Sequence, residues 1–376
     1  MVKKAKDCCN CGFDLFSFGN AFVSFLDFFH RGEINLVRSG LYFAIDNIMK
    51  ILVTGGAGYI GSIMTKQLLD KGFKVVVVDN FSNGHHQAVN KRADFEKIDL
   101  ADKKAVQKVF EKHQFEAVIH FAGVISMGES MENPAKYFYT NVFNALNVFE
   151  EMVKHKVLKL IFSSTAGVYG SPQEIPISEE HPKNPTNPYG ESKLMVERIL
   201  FWYDNIYGLR SISLRYFNAA GASLDGKLGE AHQPETHIIP LALRAALLNQ
   251  RFELYGDDYP TADGTCIRDY VHVEDLCQAH LLALQALLTG HKTDYYNVGT
   301  GKGYSNKEVI RMVEKVTGKK LKVKVSKRRL GDAAELVADP TKIKKELGWQ
   351  PQYPDLETIV KTAWRWQKTY TPTYQK

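Results

Sequence analysis

The chain has 376 residues, 44% hydrophobic and 24% charged, which is enough for one large or two ordinary globular domains. Its net charge of +6 is mild and its runs of one sign are short. This balance argues against a nucleic-acid-binding protein and suits a bound anion such as a nucleotide. Five cysteines, three of them close to the N terminus, form no disulfide framework, so we expect a reducing, cytoplasmic location.

Residues 1–48 precede Met49, where the pattern of a folded domain begins. The apolar run Phe13–Phe29 is interrupted by two aspartates and falls short of the roughly 20 uncharged residues of a membrane span, so we expect no membrane association. Cys8 and Cys11 form a CxxC without a second cysteine pair, which is too little for a zinc site. We interpret residues 1–48 as a leader of no assigned function, whose deletion should leave activity intact.

A strand–turn–helix–strand pattern follows this leader. Ile51–Val53 predicts a buried strand, Ser62–Asp70 a helix, and Lys74–Asp79 a second buried strand. Between the first strand and the helix lie three regularly spaced glycines: Gly55, Gly58 and Gly61. Such a turn lets main-chain N–H groups approach a pyrophosphate at the helix N terminus, so the unit predicts a dinucleotide site.

The residue that ends the second strand indicates which dinucleotide binds. The Asp79 carboxylate can accept hydrogen bonds from the adenosine ribose hydroxyls and would repel a 2′-phosphate. The stretch from Asp79 to Asn83 contains no Arg or Lys that could neutralise such a phosphate. The sequence therefore favours NAD over NADP.

The alternation of strands and helices continues along the chain. We predict further strands and helices at Phe95–Asp99, Ala101–His113, Ala117–Phe121, Pro134–His155 and Leu158–Ser163. The pattern indicates an α/β protein with a Rossmann-type doubly wound parallel sheet over residues 49–220 and a smaller C-terminal α/β substrate domain over residues 221–376. Ligands of such sheets bind beyond the carboxyl ends of the strands, so one crevice should contain Asp79, Asp99, Phe121–Gly123 and Ser163–Thr165.

A candidate catalytic group follows the fifth strand. Tyr189 and Lys193 are four residues apart in a predicted helix over Tyr189–Tyr203, so they share one face. A nearby ammonium stabilises a phenolate, so we expect Lys193 to lower the pKa of Tyr189 and make it an acid/base group. Thr165, at the end of the fifth strand, offers a hydroxyl that could bind a substrate oxygen or relay its proton.

These motifs together resemble those of a known family. The glycine turn, Phe121–Gly123, Ser163–Thr165, Tyr189–Lys193 and Arg215–Asn218 are similar to the extended short-chain dehydrogenase/reductase superfamily. The stretches Gly256–Leu276, Tyr296–Gly299 and Arg328–Asp332 narrow the resemblance to the UDP-glucose 4-epimerase family. The resemblance runs from Met49 to about residue 370 and excludes the leader.

The resemblance implies a set of cofactor and substrate contacts. Candidates for binding a tightly held NAD are Gly55, Gly58, Tyr59, Ile60, Gly61, Asp79, Asn80, Asn83, Asp99, Leu100, Phe121, Ala122, Gly123, Asn141, Tyr189, Lys193 and Phe217. Candidates for binding UDP-glucose or UDP-galactose are Thr165, Asn218, His237, Arg268, Tyr296, Arg329 and Asp332. By resemblance, the two arginines meet the pyrophosphate and Tyr296 crowds out N-acetylated sugars.

The two residues that follow Thr165 indicate which reaction follows oxidation of the sugar at C4. Related dehydratases carry an Asp–Glu pair here, and related decarboxylases rely on a Glu. This chain has Ala166 and Gly167, which cannot transfer protons through their side chains. The simplest sequel is return of the hydride to the opposite face, so the resemblance implies a reversible C4 epimerase of galactose metabolism.

The chain also departs from the family pattern. Ile125 stands where some members have Lys, Thr165 replaces Ser, and His237 replaces Asn. The other histidines, including His272, have no metal-like spacing with carboxylates or cysteines, so we predict no metal site. The resemblance implies a homodimer that packs through the helices around Pro134–His155 and Tyr189–Tyr203.

Three other functions remain open from the sequence. The first two are a UDP-uronate and a UDP-N-acetylhexosamine 4-epimerase built from the same parts. No extra basic residue in the matched motifs is available for a uronate carboxylate. The third is a non-catalytic NAD-binding regulator, which would have no need for Tyr189 and Lys193.

Overall fold

The computed structural model describes residues 49–329 and 332–373, with side chains described as far as residue 370. The predictions for residues 1–48, including the CxxC, lie outside the described residues. Met49–Lys376 form one compact unit. A membrane crossing needs a long apolar helix, and the described part of the chain holds none.

The N-terminal part alternates strands and helices as the sequence predicted. Its elements are β1 (Lys50–Thr54), α1 (Tyr59–Asp70), β2 (Lys74–Asp79), β3 (Asp94–Lys97), α2 (Lys103–Lys112), β4 (Ala117–His120), α3 (Met127–Glu132), α4 (Pro134–Phe138), α5 (Asn144–Lys154), β5 (Lys159–Thr165), α6 (Pro188–Tyr207), β6 (Arg210–Tyr216) and β7 (Asn218–Ala220).

The C-terminal part contains shorter strands and five helices within the described residues. Its elements are α7 (Ile238–Leu248), β8 (Arg251–Tyr255), β9 (Ile267–His272), α8 (Val273–Leu288), β10 (Asp294–Val298), β11 (Gly303–Ser305), α9 (Asn306–Thr317), β12 (Lys322–Ser326), β13 (Glu335–Leu336), α10 (Thr341–Leu347) and α11 (Leu356–Thr373).

The main sheet of the described residues has seven parallel strands in the order β10-β6-β5-β4-β1-β2-β3. The order reverses beside β1, because β2 and β4 flank it on opposite sides. A ligand crevice opens at such a switch point, beyond the carboxyl ends of the strands. The Rossmann-type α/β fold predicted from the sequence is confirmed.

Apolar side chains cover both faces of this sheet. Ile51, Val53 and Val77 pack on the face covered by α1 and α8, whereas Leu52 and Val76 pack on the face covered by α2, α5 and α6. Near-continuous apolar strands such as Lys74–Asp79 are what a sheet buried on both faces requires.

The segment Pro134–His155 is not the single helix that the sequence predicted. A π-helical turn over Tyr139–Phe143 separates α4 from α5. The π turn contains Asn141, whose buried side chain bonds to Val124 and Ser192. Such turns often occur at functional sites, and here the turn directs Asn141 towards Ser192 of α6.

The main sheet extends beyond the boundary predicted at residue 220. Its edge strand β10 comes from residues 294–298 and pairs with β6. The remaining strands form a small sheet of β7, β9, β11 and β13 and a pair of β8 and β12. A separate apolar cluster joins α7, α9 and α11, including Leu243, Val313 and Ile359. The β7–β9 pairing places these elements beside the crevice.

Candidate active site

The glycine turn between β1 and α1 leaves no room for side chains. A Cβ at Gly55, where φ is +72°, would lie 2.7 Å from the nitrogen of Ala122. A Cβ at Gly61 would lie 2.2 Å from the Gly55 carbonyl oxygen. Helix α1 begins after Gly58, and no side chain of the described residues caps it. Its first-turn N–H groups are therefore available to a phosphate.

Asp79 lies at the carboxyl end of β2, as predicted, and organises the adjoining loop. One carboxylate oxygen accepts from the nitrogen of Ala57 at 3.0 Å, and the other accepts from the nitrogen of Phe81 at 2.8 Å. Burial raises the pKa of the Asp79 carboxyl, and these two hydrogen bonds oppose the shift. Each carboxylate oxygen keeps a lone pair for a further donor, such as a ribose hydroxyl.

The other adenosine-side candidates lie around this loop. Asn80 donates from Nδ2 to Asp99 at 2.9 Å, which brings the ends of β2 and β3 together. Asn83 is exposed and borders, with Gly58 and Tyr59, a cavity beside the glycine turn. The Leu100 carbonyl accepts from a neighbouring helix, and Ile60 packs on the core. The structure therefore brings this group of candidates to one end of the crevice.

The nicotinamide-side candidates lie beyond β4 and on the π turn. A Cβ at Gly123 would lie 2.8 Å from Oδ1 of Asn141 and 3.5 Å from Nζ of Lys193. Phe121 packs against His280, with ring centroids 4.8 Å apart. Phe217 packs on the apolar cluster that contains Ala166. The loop after β4 thus lies directly beside the catalytic lysine.

The three predicted catalytic residues come together at the carboxyl end of β5. Thr165 ends that strand, and its hydroxyl lies near enough to Tyr189 to oppose the rise of the Tyr189 pKa. Helix α6 positions Tyr189 and Lys193. Its first turn is fixed because the Asn187 side chain accepts from the nitrogen of Gly190 at 2.9 Å. Both residues are buried, as catalytic groups in a closed crevice are expected to be.

The pKa of Tyr189 is shifted in the direction opposite to the prediction. Burial raises its pKa above the ordinary value of a phenol, and the hydrogen bond with Thr165 only opposes that shift. Burial also lowers the pKa of Lys193 to about 8. The Lys193 ammonium donates to the Ser163 carbonyl oxygen at 3.0 Å. Lys193 is not among the groups that shift the pKa of Tyr189, so the lowering that we expected from the lysine is not found in this structure.

Three of the substrate-binding candidates lie close together. Nη2 of Arg268 lies 3.6 Å from Oδ1 of Asp332, and the nitrogen of Asp332 donates to the carbonyl oxygen of Arg329. The Arg329 guanidinium stacks 4.1 Å from the centre of the Tyr255 ring and is exposed. The arrangement presents two guanidinium groups and one carboxylate near the small sheet, a combination suited to a phosphate and a ribose.

Two further candidates for substrate binding lie at the starts of β7 and α7. Asn218 opens β7 and donates from Nδ2 to the carbonyl oxygen of Asp269 at 3.2 Å. His237 immediately precedes α7, and its Nδ1 faces Glu230 at 2.6 Å and Glu235 at 3.2 Å. His237 therefore has carboxylate partners on its Nδ1 side, which the sequence did not indicate.

The prediction that Tyr296 bounds the sugar pocket is wrong. Tyr296 lies inside β10 and is completely buried. Its hydroxyl donates to Glu346 at 2.8 Å, and the Lys342 ammonium lies 4.8 Å from its ring centre. It belongs to the core between the sheet and α10, where it cannot contact a ligand.

Two polar pairs near the catalytic residues were not predicted. The hydroxyls of Tyr216 and Ser163 hydrogen-bond to each other, next to the carbonyl that holds Lys193. Arg215 makes a buried bidentate ion pair with Glu197 of α6, at 2.6 and 2.9 Å. The motif Arg215–Asn218 was noticed only for its resemblance, and nothing in its spacing indicated a partner on α6.

Comparison with known proteins agrees with this geometry. A family model described as the NAD dependent epimerase/dehydratase family matches residues 51–299. The chain belongs to this family. The described residues fit NAD, because the uncapped start of α1 and the close-packed glycine turn form a cradle for a pyrophosphate.

The relatives are similar over nearly their whole length. The UDP-glucose 4-epimerase of Lacticaseibacillus casei is 47% identical over 323 residues, which span 86% of this chain and 98% of that protein. The structure of UDP-glucose 4-epimerase from Brucella ovis in complex with NAD has 45% identity and a TM-score of 0.82, covering 84% of this chain and 97% of that one. The corresponding Bifidobacterium longum enzyme in complex with NAD⁺ and UDP has 37% identity and a TM-score of 0.82, covering 87% and 100%.

Proposed function

We propose that this protein is an isomerase that interconverts UDP-glucose and UDP-galactose at C4 of the sugar. The observation that carries the proposal is the group Thr165, Tyr189 and Lys193, held together at the carboxyl end of β5 beside the glycine turn. The similarity to UDP-glucose 4-epimerases supports the choice of substrate.

Tyr189 is the proton-transferring residue in this proposal. Its side chain is buried next to the Thr165 hydroxyl. With Tyr189 as the phenolate, a substrate 4-hydroxyl bound beside it would pass its proton to the Tyr189 oxygen and regain that proton when the hydride returns, while Thr165 orients the sugar oxygen. When bound, NAD⁺ would supply the acceptor for the C4 hydride and the donor that restores it to the other face, and its positive ring would favour the phenolate of Tyr189.

Lys193 holds the crevice in its reactive geometry. With a pKa of about 8, its amine is mostly cationic at neutral pH. One of its three donors bonds to the Ser163 carbonyl, and the other two remain for the hydroxyls of a nicotinamide ribose. We therefore expect Lys193 to position the cofactor against Tyr189.

The residues after Thr165 favour epimerisation over elimination. Ala166 is buried, and the nitrogen of Gly167 donates to the Thr165 hydroxyl at 3.0 Å. A Cβ at Gly167 would lie 3.4 Å from the same hydroxyl oxygen, so these residues lie against the reacting group without offering an acid or base. Neither residue can therefore transfer a proton for loss of water from a ketose formed here.

The nucleotide part of the substrate is held at the second cluster. Arg268 and Arg329 would bind the pyrophosphate, and Asp332 would accept from a ribose hydroxyl. Asn218 and His237 lie at the starts of β7 and α7 and complete the proposed contacts. These groups fix the UDP while the sugar turns to present its other face.

We also propose that the enzyme is a cytoplasmic homodimer. The described cysteines, Cys266 and Cys277, are unpaired, which suits a reducing compartment.

Large apolar side chains are exposed on the π turn and along α6, namely Tyr139, Phe143, Phe201, Trp202, Ile206 and Tyr207. Two copies could bury these surfaces against each other. Light scattering should give twice the chain mass, and Trp202→Glu should shift it to the monomer.

A coupled assay tests the proposed reaction. Purified protein is incubated with UDP-galactose without added NAD and is then removed by filtration, and a UDP-glucose dehydrogenase supplied with its own NAD reports the product in the filtrate. We expect UDP-glucose to form, because NAD should remain bound through purification. Absence of product even after NAD is added would exclude the proposed activity.

A further inference from the structure

Four side chains in the segment before α7 converge on one point. Oε1 of Glu230 lies 3.1 Å from Nδ1 of His232 and 2.6 Å from Nδ1 of His237. Glu235 approaches the same two nitrogens, at 3.2 Å from His237 and 3.9 Å from His232. One ligand atom from each of the four residues lies within 4.8 Å of the other three. Two imidazoles and two carboxylates thus face a common centre.

The surroundings hold these groups in place. Only 7% of the Glu230 side chain and 9% of the Glu235 side chain are exposed. The Glu230 carbonyl accepts from the indole of Trp366 at 2.8 Å, and the Glu235 carboxylate accepts from the nitrogen of His237 at 2.8 Å. Nδ1 of His232 is a buried atom that makes no hydrogen bond with the described residues. In the neutral tautomer that is protonated on Nε2, His232 would present the Nδ1 lone pair at the centre.

The separations match those of a zinc ligand set. Zinc bonds of about 2.0–2.2 Å in a tetrahedron place neighbouring ligand atoms roughly 3.3–3.6 Å apart. The four histidine–carboxylate separations run from 2.6 to 3.9 Å and bracket that value. Imidazole nitrogens with carboxylate oxygens suit Zn²⁺ better than Mg²⁺, which prefers oxygen ligands alone.

We propose that Glu230, His232, Glu235 and His237 form a binding site for a zinc-like divalent cation. No spacing in the sequence indicated this site, because the four residues lie in an irregular segment without a helical or CxxC pattern. The site lies beside the glycine turn, since the His232 ring packs on the ring of Tyr59, the first residue of α1. A bound cation would tie this segment to the start of α7 and fix His237.

The site does not depend on the proposed epimerase activity. Protonated histidines could also face these carboxylates, so the experiment must separate ion pairing from metal binding. The cysteines of the leader could bind zinc themselves. The background for every measurement is therefore the full chain with Cys8→Ser, Cys9→Ser and Cys11→Ser.

Zinc binding is measured by isothermal titration after treatment with a chelator, at neutral pH. The site predicts one Zn²⁺ per chain with micromolar or tighter affinity, and no binding of Mg²⁺. His232→Ala should weaken Zn²⁺ binding by at least about 10–100-fold. Glu235→Gln, which preserves size, should also weaken it, and circular dichroism verifies that both variants are folded.

The chain offers a matched control at a second histidine–carboxylate group. His291, Asp294 and Glu346 also lie close together, but the Lys342 ammonium is 2.5 Å from Asp294 and would repel a cation. His291→Ala should leave the affinity for Zn²⁺ unchanged. The proposal is overturned if the background protein binds no Zn²⁺, which would leave an ion-paired cluster only, or if His232→Ala binds it as tightly as the background does.

Discussion

The Lys193 ammonium nitrogen lies 3.0 Å from the main-chain carbonyl oxygen of Ser163 and is fixed to β5 by that hydrogen bond. This contact links the catalytic helix α6 to the central strand of the crevice. In the proposed mechanism the lysine would act on the geometry of the site and, through the cofactor ribose, on the tyrosine.

Tyr189→Phe should reduce kcat by at least about 10²–10⁴-fold, because the variant lacks the hydroxyl that transfers the proton beside Thr165. NAD should remain bound, since the cradle around Gly55–Gly61 is unchanged. Absorbance and mass spectrometry of the released cofactor measure NAD content. Tyr203→Phe is the control, because Tyr203 lies on the same helix and its hydroxyl donates to Glu150. Equal activity in the two variants would contradict the role given to Tyr189.

The Thr165 hydroxyl can be tested by two nearly isosteric changes. Thr165→Val removes the hydroxyl that bonds to Tyr189 and to the nitrogen of Gly167, and kcat should fall by roughly 10-fold or more. Thr165→Ser retains the hydroxyl and should stay within a few-fold of the original enzyme. Initial rates at saturating UDP-galactose distinguish the two. A Thr165→Val enzyme as active as Thr165→Ser would remove Thr165 from the catalytic group.

Arg268→Ala should raise KM for UDP-galactose by roughly 10–100-fold with a smaller effect on kcat, because it removes a charge-assisted contact to the nucleotide. The control is Arg328→Ala, since Arg328 is exposed and pairs with Asp258. Steady-state kinetics of both variants give the comparison. A fall in kcat with an unchanged KM would place Arg268 outside the nucleotide site.

Tyr296 should influence stability and not substrate choice. Tyr296→Phe removes the buried hydrogen bond to Glu346 and should lower the free energy of unfolding by about 1 kcal/mol. The ratio of rates on UDP-N-acetylglucosamine and UDP-glucose should stay the same in Tyr296→Phe and in Tyr296→Cys. A marked gain on the acetylated sugar in Tyr296→Cys would restore the rejected assignment.

Buried His120 should make the protein less stable in mild acid. Burial lowers the pKa of its imidazole to about 3, below the ordinary value of 6.5, so the unfolded chain binds the proton more readily. Stability is therefore lost as the pH falls below 6.5, and His120 alone should contribute a loss of about 2 kcal/mol at pH 5.

Urea unfolding at pH 7 and pH 5 measures this loss. His120→Asn can keep a hydrogen bond to Thr54, which now bonds to Nδ1 at 2.8 Å, and should reduce the pH dependence. His86→Asn, at an exposed position, should leave it unchanged. An identical pH dependence in His120→Asn and the original protein would refute this assignment.

The sequence predicted the elements that local patterns determine. The β1–α1–β2 unit follows from its apolar runs and glycine spacing, and the pairing of Tyr189 with Lys193 follows from the helical period. It did not predict the break in the helix after Pro134, because a π turn has no distinct residue pattern and depends on tertiary partners such as Ser192.

The errors at the site concern residues whose role depends on distant partners. Tyr296 was assigned by a motif, but its position is decided by the pairing of β10 with β6 and by packing on α10. The cluster of His232 and Glu230 was missed because loop conformation, not spacing, brings the four side chains together. Burial, which sets the pKa of Tyr189, is likewise a property of the assembled fold.

The fate of the hydrogen on C4 tests the central claim most directly. In the proposed reaction this hydrogen leaves as a hydride and returns to the same carbon without exchanging with solvent. UDP-galactose deuterated at C4 should therefore give UDP-glucose that retains the deuterium at C4, as measured by NMR and mass spectrometry. Replacement of that deuterium by hydrogen from the solvent would contradict the account.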